Sequence, residues 1–138
     1  MIILDTNVLS ELMRSAPEPA VVAWLDEQAA ESVWLTSITV FEARMGLALL
    51  PSGKRRRALE DSFEQLLAEE LEHRVLPFDA EAAAQAALLG AARQQAGRVV
   101  DVRDTQIAGI AMARRATLAT RNLKHFDDLR TPVLSPWD

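Results

Sequence analysis

The sequence predicts an α/β sandwich built around a parallel sheet of four or five strands. Short apolar runs alternate with longer amphipathic stretches along the whole chain, and the short runs lack the polar alternation of a half-exposed strand. Strands that helices cover on both faces have this continuous apolar pattern. Strands alternating with helices are typical of a parallel sheet. A chain of 138 residues has the size of one domain, which we expect to span residues 1–138.

The predicted strands are five short apolar runs, at residues 2–4, 33–35, 75–76, 117–119 and 133–134. The first predicted long helix follows a Pro-Glu-Pro opening that suits a helix start, and its apolar face carries Val21, Trp24, Leu25 and Ala29. We expect Ser37 to cap a second helix over about residues 38–50, which Pro51 ends.

Three further helices are predicted in the remainder of the chain. Leu59, Phe63, Leu66 and Leu67 form a stripe at helical spacing. The segment 81–95 is so rich in alanine that it should pack very close to its neighbours. Asp101 precedes a last helix over about residues 102–115, for which it is the expected cap.

The composition narrows the function classes. The absence of cysteine excludes disulfides, thiolate zinc sites and a cysteine nucleophile. The start MIILDTN does not have the pattern of a signal peptide, and no apolar run approaches the roughly 20 residues of a membrane span. We therefore expect a cytoplasmic protein without a membrane partner. The net charge of −5 is mild evidence against a nucleic-acid partner, and the basic run at 54–57 is interpreted as a solvated helix start.

Polar residues follow the predicted strands at the points where those strands end. Asp5 follows the first strand, Glu42 lies on the second turn of the helix after the second, and Asp104 lies in the first turn of the last helix. Asn122 comes shortly after the fourth apolar run. Ligands of parallel sheets bind just beyond the carboxyl ends of the strands, so we expect these four residues at one edge of the sheet.

Three carboxylates at one site repel each other, and a divalent cation relieves that repulsion. Oxygen ligands without cysteine or a neighbouring histidine select Mg²⁺ or Mn²⁺ over zinc. Such a site fits the hydrolysis of phosphodiesters by a metal-activated water. Other interpretations stay open, because Asp5 also suits a helix cap, Asp104 suits a helix amino terminus and Asn122 suits a turn.

Several segments, in order and with matching spacing, carry a resemblance to a known family. They are MIILDTNVLSELMR, LTSITVFEARMGLALLPSGKRR, RVLPFDAEAA, DVRDTQIAGIAMA, LATRNLKHF and the closing SPW. With these segments the chain resembles the PIN-domain toxins of bacterial toxin–antitoxin pairs, of the VapC type and within it the FitB-like branch, also called plasmid-stability proteins.

The resemblance implies a PIN fold, an endoribonuclease that depends on Mg²⁺ or Mn²⁺, an antitoxin that blocks the site, and a homodimer. The family's acidic positions fall on Asp5, Glu42 and Asp104, and its fourth position falls on Asn122. Many relatives carry Asp where this chain has His125, which we interpret, like His73, as a surface or packing residue.

Three further residues are candidates for binding substrate. Thr6 and Ser37 stand where a hydroxyl could bond a ligand or a metal-bound water, and Arg121 stands where a cation could bind a phosphate.

Three other functions are alternatives for a sequence of this kind. A haloacid-dehalogenase-type phosphatase needs a second acid two residues after Asp5, where this chain has Asn7. A PIN-like module used only for binding should have lost one or more of the acids, and all are present. A metal-dependent phosphodiesterase acting on DNA remains an alternative, although related DNA nucleases are longer chains.

Overall fold

The protein contains one five-stranded parallel sheet in the computed structural model, which describes residues 1–138. Its strands are β1 (Ile2–Leu4), β2 (Val33–Thr36), β3 (Val75–Leu76), β4 (Thr117–Ala119) and β5 (Val133–Leu134). They lie in the order β3-β2-β1-β4-β5, and every neighbouring pair is parallel. The predicted fold is confirmed, and only β2 differs from its predicted bounds, by one residue.

Six helices connect and cover these strands. They are α1 (Thr6–Leu12), α2 (Pro19–Asp26), α3 (Ser37–Ala48), α4 (Lys54–Gln65), α5 (Ala80–Gln95) and α6 (Val102–Arg114), with short helical turns at Ala30–Ser32, Leu66–Glu70 and Leu123–Phe126. Asp101 caps α6, because its carboxylate accepts a hydrogen bond from the backbone N–H of Asp104 at 2.9 Å. No helix is long and apolar enough to cross a membrane.

The prediction that Ser37 caps α3 is wrong by one residue. Thr36 is the cap: its backbone is still extended, and its hydroxyl accepts a hydrogen bond from the N–H of Thr39 at 3.1 Å. Ser37 already has a helical position, and its hydroxyl accepts a hydrogen bond from the N–H of Phe78 at 3.1 Å. The last helical turn also ends earlier than predicted, at Ala48.

Side chains of the strands point alternately into two separate cores, one on each face of the sheet. In β1, Ile3 packs with α5 and α6, whereas Leu4 packs with α1, α2, α4 and the turn after α4. In β4, Leu118 and Ala119 divide between the two cores in the same way. This alternation explains why the strand sequences are apolar without a polar face, since both faces are covered. The result is a three-layer α/β/α sandwich.

Helices α5 and α6 pack very closely, as the alanine-rich sequence predicts. A Cβ placed on Gly109 of α6 would lie 2.6 Å from the carbonyl oxygen of Ala82 and 2.7 Å from the Cβ of Ala86, both on α5. Ala108 and Ala111 on α6 are fully buried. Small side chains at this contact therefore set the distance between the two helices, and with it the position of the amino terminus of α6.

Gly109→Ala should lower the free energy of unfolding by about 1–3 kcal/mol, because the added methyl group overlaps the backbone of α5. Gly46→Ala is the matched control: its Cβ would meet nothing within 4 Å, and alanine should stabilise the interior of α3 by about 0.5–1 kcal/mol. Urea unfolding of both variants tests this. A Gly109→Ala protein as stable as the wild type would show that the two helices are not in tight contact.

Candidate active site

The carboxyl ends of β1, β2 and β4 surround a cavity of about 520 Å³. The chain passes from β1 to β2 and β3 on one side of the sheet, and to β4 and β5 on the other. Parallel sheets bind ligands in the crevice at such a reversal of strand order. The cavity is lined by eleven residues, of which one is hydrophobic: Asp5, Thr6, Asn7, Ser10, Glu11, Arg14, Glu42, Asp104, Arg121, Asn122 and Trp137.

Asp5 lies directly after β1, at the base of this cavity, and its side chain is only 4% exposed. One carboxylate oxygen accepts a hydrogen bond from the N–H of Thr6 at 2.8 Å, so that Asp5 also caps α1. The other oxygen accepts bonds from the hydroxyl of Thr120 at 2.8 Å and from the side-chain amide of Asn7 at 3.4 Å. The same carboxylate thus caps α1 and lines the cavity. Asp5 can therefore be both a helix cap and a site residue.

Burial raises the pKa of Asp5 to about 6. The hydrogen bonds from Thr120 and Thr6 oppose this shift, and the negative charges of Asp104 and Glu42 add to it. Near neutral pH the ionised carboxylate is therefore held in an unfavourable environment. A cation beside it would favour the ionised form.

Glu42 reaches the cavity from α3, and its side chain is 22% exposed. Its Oε1 accepts a hydrogen bond from the hydroxyl of Thr6 at 2.9 Å. The guanidinium of Arg103 lies 3.8 Å from Oε2. Thr6 therefore connects two acidic residues, because its backbone binds Asp5 and its side chain binds Glu42.

Asp104 lies in the first turn of α6, and its Oδ2 is 3.1 Å from Nδ1 of His125. The interpretation of His125 as a surface residue is confirmed, because its side chain is 57% exposed. Its imidazole also contacts a cavity carboxylate. The sequence position of His125 is consistent with this contact, because it lies three residues after Asn122, in the turn Leu123–Phe126 beyond the same sheet edge.

Arg93 of α5 anchors the segment that carries His125. Its guanidinium donates to both carboxylate oxygens of Asp128, each at 2.9 Å, and to the carbonyl oxygen of His125 at 2.7 Å. The side chain of Arg93 is 4% exposed and that of Asp128 is 26% exposed, so the guanidinium is shielded from water while the carboxylate remains partly accessible. The hydrogen bonds from Arg93 lower the pKa of Asp128. The chain beyond Asn122 is thereby fixed to α5.

Of the remaining predicted site residues, Asn122 and Arg121 line the cavity and Ser37 does not. Asn122 lines the cavity, and its backbone N–H donates to the hydroxyl of Thr120 at 3.1 Å. Arg121 lines the cavity as well, with its guanidinium carbon 4.9 Å from the ring centre of Trp137. Ser37 does not line the cavity.

Five lining residues are not among the predicted site residues: Asn7, Ser10, Glu11, Arg14 and Trp137. Thr120, which bonds Asp5, is not among them either. Two of these six have a usable signal in the sequence, because Thr120 follows β4 directly and Asn7 lies two residues after Asp5 at the end of β1.

The donor set suits a hard divalent cation. All of its ligand atoms are oxygens, and one of the carboxylates, that of Asp5, is disfavoured in its ionised form because it is buried. In this structure no three carboxylates or imidazoles lie close enough together to hold one ion directly. Mg²⁺ usually takes one or two carboxylates and completes its shell with water and substrate oxygens. The residues therefore fit a cation that two carboxylates hold, with a third acting through water.

The chain is similar to proteins of one known family along its whole length. The model of the PIN domain matches residues 2–131. A VapC ribonuclease from Sinorhizobium fredii is 41% identical over 138 residues, covering 100% of this chain and 99% of the relative. The toxin FitB from Neisseria gonorrhoeae is 40% identical, covering 99% of each chain. A solved structure of FitAB bound to a DNA fragment superposes with a TM-score of 0.91, at 40% identity, covering 100% of this chain and 96% of that one.

Asp5→Asn should change how stability depends on pH in metal-free protein. The folded-state pKa of about 6 exceeds the ordinary value of 3.8, so the ionised group costs stability above about pH 6 and the cost disappears below about pH 4. The variant should be more stable than the wild type at about pH 8, by up to about 3 kcal/mol. That difference should shrink as the pH falls through 6.

Urea unfolding across this range, in the presence of chelator, measures the effect. Asp61→Asn is the matched control, because Asp61 is exposed on α4 and its substitution should change stability by less than about 0.5 kcal/mol at every pH. If Asp5→Asn were destabilising by the same amount at both ends of the range, burial would not be the dominant influence on Asp5.

Proposed function

The chain belongs to the PIN-domain family, among the VapC- and FitB-type toxins, and on that premise we propose that it is an endoribonuclease dependent on Mg²⁺ or Mn²⁺. It would act as the toxin of a type II toxin–antitoxin pair, with residues 1–138 forming a single PIN domain. One observation carries the proposal: four carboxylates, two of them buried, line a polar cavity at the carboxyl ends of the central strands. The name of the Sinorhizobium relative supports RNA over DNA as the substrate.

We assign the roles of the side chains from their positions. Asp5 and Asp104 would hold the cation directly, and Glu42 would act through a bound water. A bound Mg²⁺ or Mn²⁺ would supply a water of lowered pKa and neutralise charge on the leaving oxygen. Thr6 orients Glu42 and Thr120 orients Asp5, through hydrogen bonds of 2.9 and 2.8 Å.

Asn122 is the neutral fourth member of the site. As an amide it can orient a water or a substrate oxygen without adding to the repulsion among the carboxylates. Thr6 and Arg121 are the proposed substrate contacts. Ser37 is left out, because its hydroxyl already bonds the N–H of Phe78.

The purified chain should cleave RNA with Mg²⁺ or Mn²⁺ and lose that activity in chelator. Asp5→Asn and Asp104→Asn should each reduce the rate at least about a hundredfold, as expected when a group that stabilises the transition state is removed. Asp61→Asn, an identical change outside the cavity, should leave the rate unaltered. Gel assays on defined RNAs, with circular dichroism to confirm folding, measure this. Wild-type rates in a folded Asp5→Asn variant would disprove the assigned site.

An apolar groove beside the cavity is the surface that we propose for the antitoxin. It measures about 620 Å³ and shares Thr6, Ser10, Arg14 and Glu42 with the cavity wall. Half of its lining is hydrophobic: Leu9, Met13, Ala43, Leu47, Leu50, Ala58 and Leu59. A partner segment seated there would lie against Glu42 and exclude substrate, which is what inhibition of a toxin requires.

Leu50→Glu should weaken the complex with the antitoxin, because it places a charge in the apolar part of the groove. The partner to test is the small protein encoded next to this gene, co-expressed and purified with the chain. Leu88→Glu is the control, since Leu88 is 68% exposed on α5 and lies outside the groove. Equal binding by both variants would place the partner elsewhere.

We also propose a homodimer. Phe41 and Met45 of α3 and Leu49, which caps its carboxyl end, recur at every fourth position and are 52%, 37% and 77% exposed. A row of exposed apolar side chains along one helix face is typical of an interface between proteins. Sedimentation at micromolar concentration distinguishes a dimer from the monomer that would contradict this.

A further inference from the structure

Of the two arginines that line the cavity, only Arg121 has a guanidinium that no carboxylate neutralises. The cavity contains four carboxylates and two guanidinium groups, those of Arg14 and Arg121. Arg14 is neutralised, because its Nη1 lies 3.0 and 3.2 Å from the two oxygens of Glu11. Arg121 forms no ion pair, and its guanidinium donates no hydrogen bond; only its backbone N–H does. It is thus the one cation of the cavity whose charge is available to a ligand.

The guanidinium of Arg121 is nevertheless held in place. It lies over the ring of Trp137, with 4.9 Å from its central carbon to the ring centre. Trp137 is itself half-buried against the core of Leu4, Val8 and Ala119. Stacking occupies one face of the planar group and leaves the N–H donors at its edges free. Those donors match the oxygens of a phosphate in a paired geometry.

The backbone of Arg121 is tied to the carboxylate at the base of the cavity. Its N–H donates to Oδ1 of Asn7 at 3.2 Å, and the amide of Asn7 donates to Asp5 at 3.4 Å. The neighbouring residues are fixed in the same way, since Thr120 donates to Asp5 and accepts from the N–H of Asn122. Hydrogen bonds therefore fix the backbone of Arg121 relative to Asp5, and the contact with Trp137 holds its guanidinium.

We propose that Arg121, stacked on Trp137, is a phosphate clamp for the RNA chain. It would bind a phosphodiester next to the one that is cleaved, and Trp137 would be its positioning residue. This rests on the proposed ribonuclease function. A substrate phosphate entering a cavity of carboxylates meets repulsion wherever no cation lies, and Arg121 supplies a fixed, unpaired positive charge beside it. The clamp fixes the register of the chain, as phosphate contacts generally do.

Binding of a fluorescently labelled single-stranded oligoribonucleotide, measured by anisotropy, tests the clamp. The measurements use an Asp5→Asn background, which blocks cleavage, with Mg²⁺ present and over a range of salt. Arg121→Ala should weaken binding about tenfold or more, as expected for charged hydrogen bonds. It should also reduce the slope of log affinity against log salt by about one, for a lost phosphate contact. Arg121→Lys keeps the charge and should restore the slope but only part of the affinity.

Trp137→Leu should weaken binding without changing the salt slope, because the charge remains while its support is lost. Trp137→Phe retains an aromatic face and serves if the leucine variant does not fold. Arg130→Ala is the matched control: this arginine precedes β5, at the opposite end of the strand from the cavity, and bonds Gln85. In the cleaving protein, Arg121→Ala should raise KM and leave kcat nearly unchanged, as expected for uniform binding.

Unchanged affinity and salt slope in Arg121→Ala would overturn the clamp. A loss confined to the Trp137 variants would also overturn it, since it would indicate stacking of a base on the ring. Failure of the wild-type chain to cleave RNA is a separate outcome: it would refute the ribonuclease, whereas binding by the Asp5→Asn protein and its Arg121 variants would still decide the clamp.

Discussion

The carboxylate of Asp5 has to be buried where the central strand of the sheet ends, and the arrangement of the neighbouring segments follows from that constraint. The N–H of Asp5 still bonds the carbonyl oxygen of Ala119 in β4, at 2.9 Å, so the sheet fixes its position. A buried carboxylate is costly unless donors surround it. Thr6, Asn7 and Thr120 are those donors. These three donors also form hydrogen bonds with Glu42, Arg121 and Asn122. The residues that stabilise the buried carboxylate therefore also position much of the cavity wall.

Helix α5 supports the other side of the cavity from a distance. Its close contact with Gly109 fixes α6, whose first turn carries Asp104. Its buried Arg93 fixes the turn that carries His125. The contact between Asp104 and His125 thus depends on a single helix that does not itself line the cavity. An alanine-rich helix suits this function, because small side chains permit the close approach on which the geometry depends.

The distribution of charge is compatible with the proposed action of an acidic protein on an anionic polymer. The net charge is −5, but four of the carboxylates line one cavity, where a bound cation would offset their negative charge. What the substrate meets there is decided by the few cations that carboxylates have not already neutralised. The cavity also runs directly into the apolar groove along α3, so a segment bound in that groove and a substrate in the cavity would compete for the space beside Glu42. The residues between the cavity and the groove would then contact both the substrate and the inhibitor.

The sequence by itself determined the strands, the layers and three of the four acidic residues that meet at one sheet edge, which are Asp5, Glu42 and Asp104. Strands covered on both faces must be continuously apolar, and residues that follow parallel strands must share an edge, so both features can be read locally. The tertiary structure decided which of these residues touch. Thr120 and Asp5 lie 115 positions apart in the chain, and the stacking of Arg121 on Trp137 has no local signature. The pairing of Arg14 with Glu11, in contrast, has the local i,i+3 spacing of a helical ion pair. The cap of α3 is Thr36 and not Ser37, a difference of one residue. Because side-chain direction in a helix changes with every position, the hydroxyl of Ser37 lies against Phe78 and not in the cavity. Proximity of this kind arises only when the strands have taken their order in the sheet.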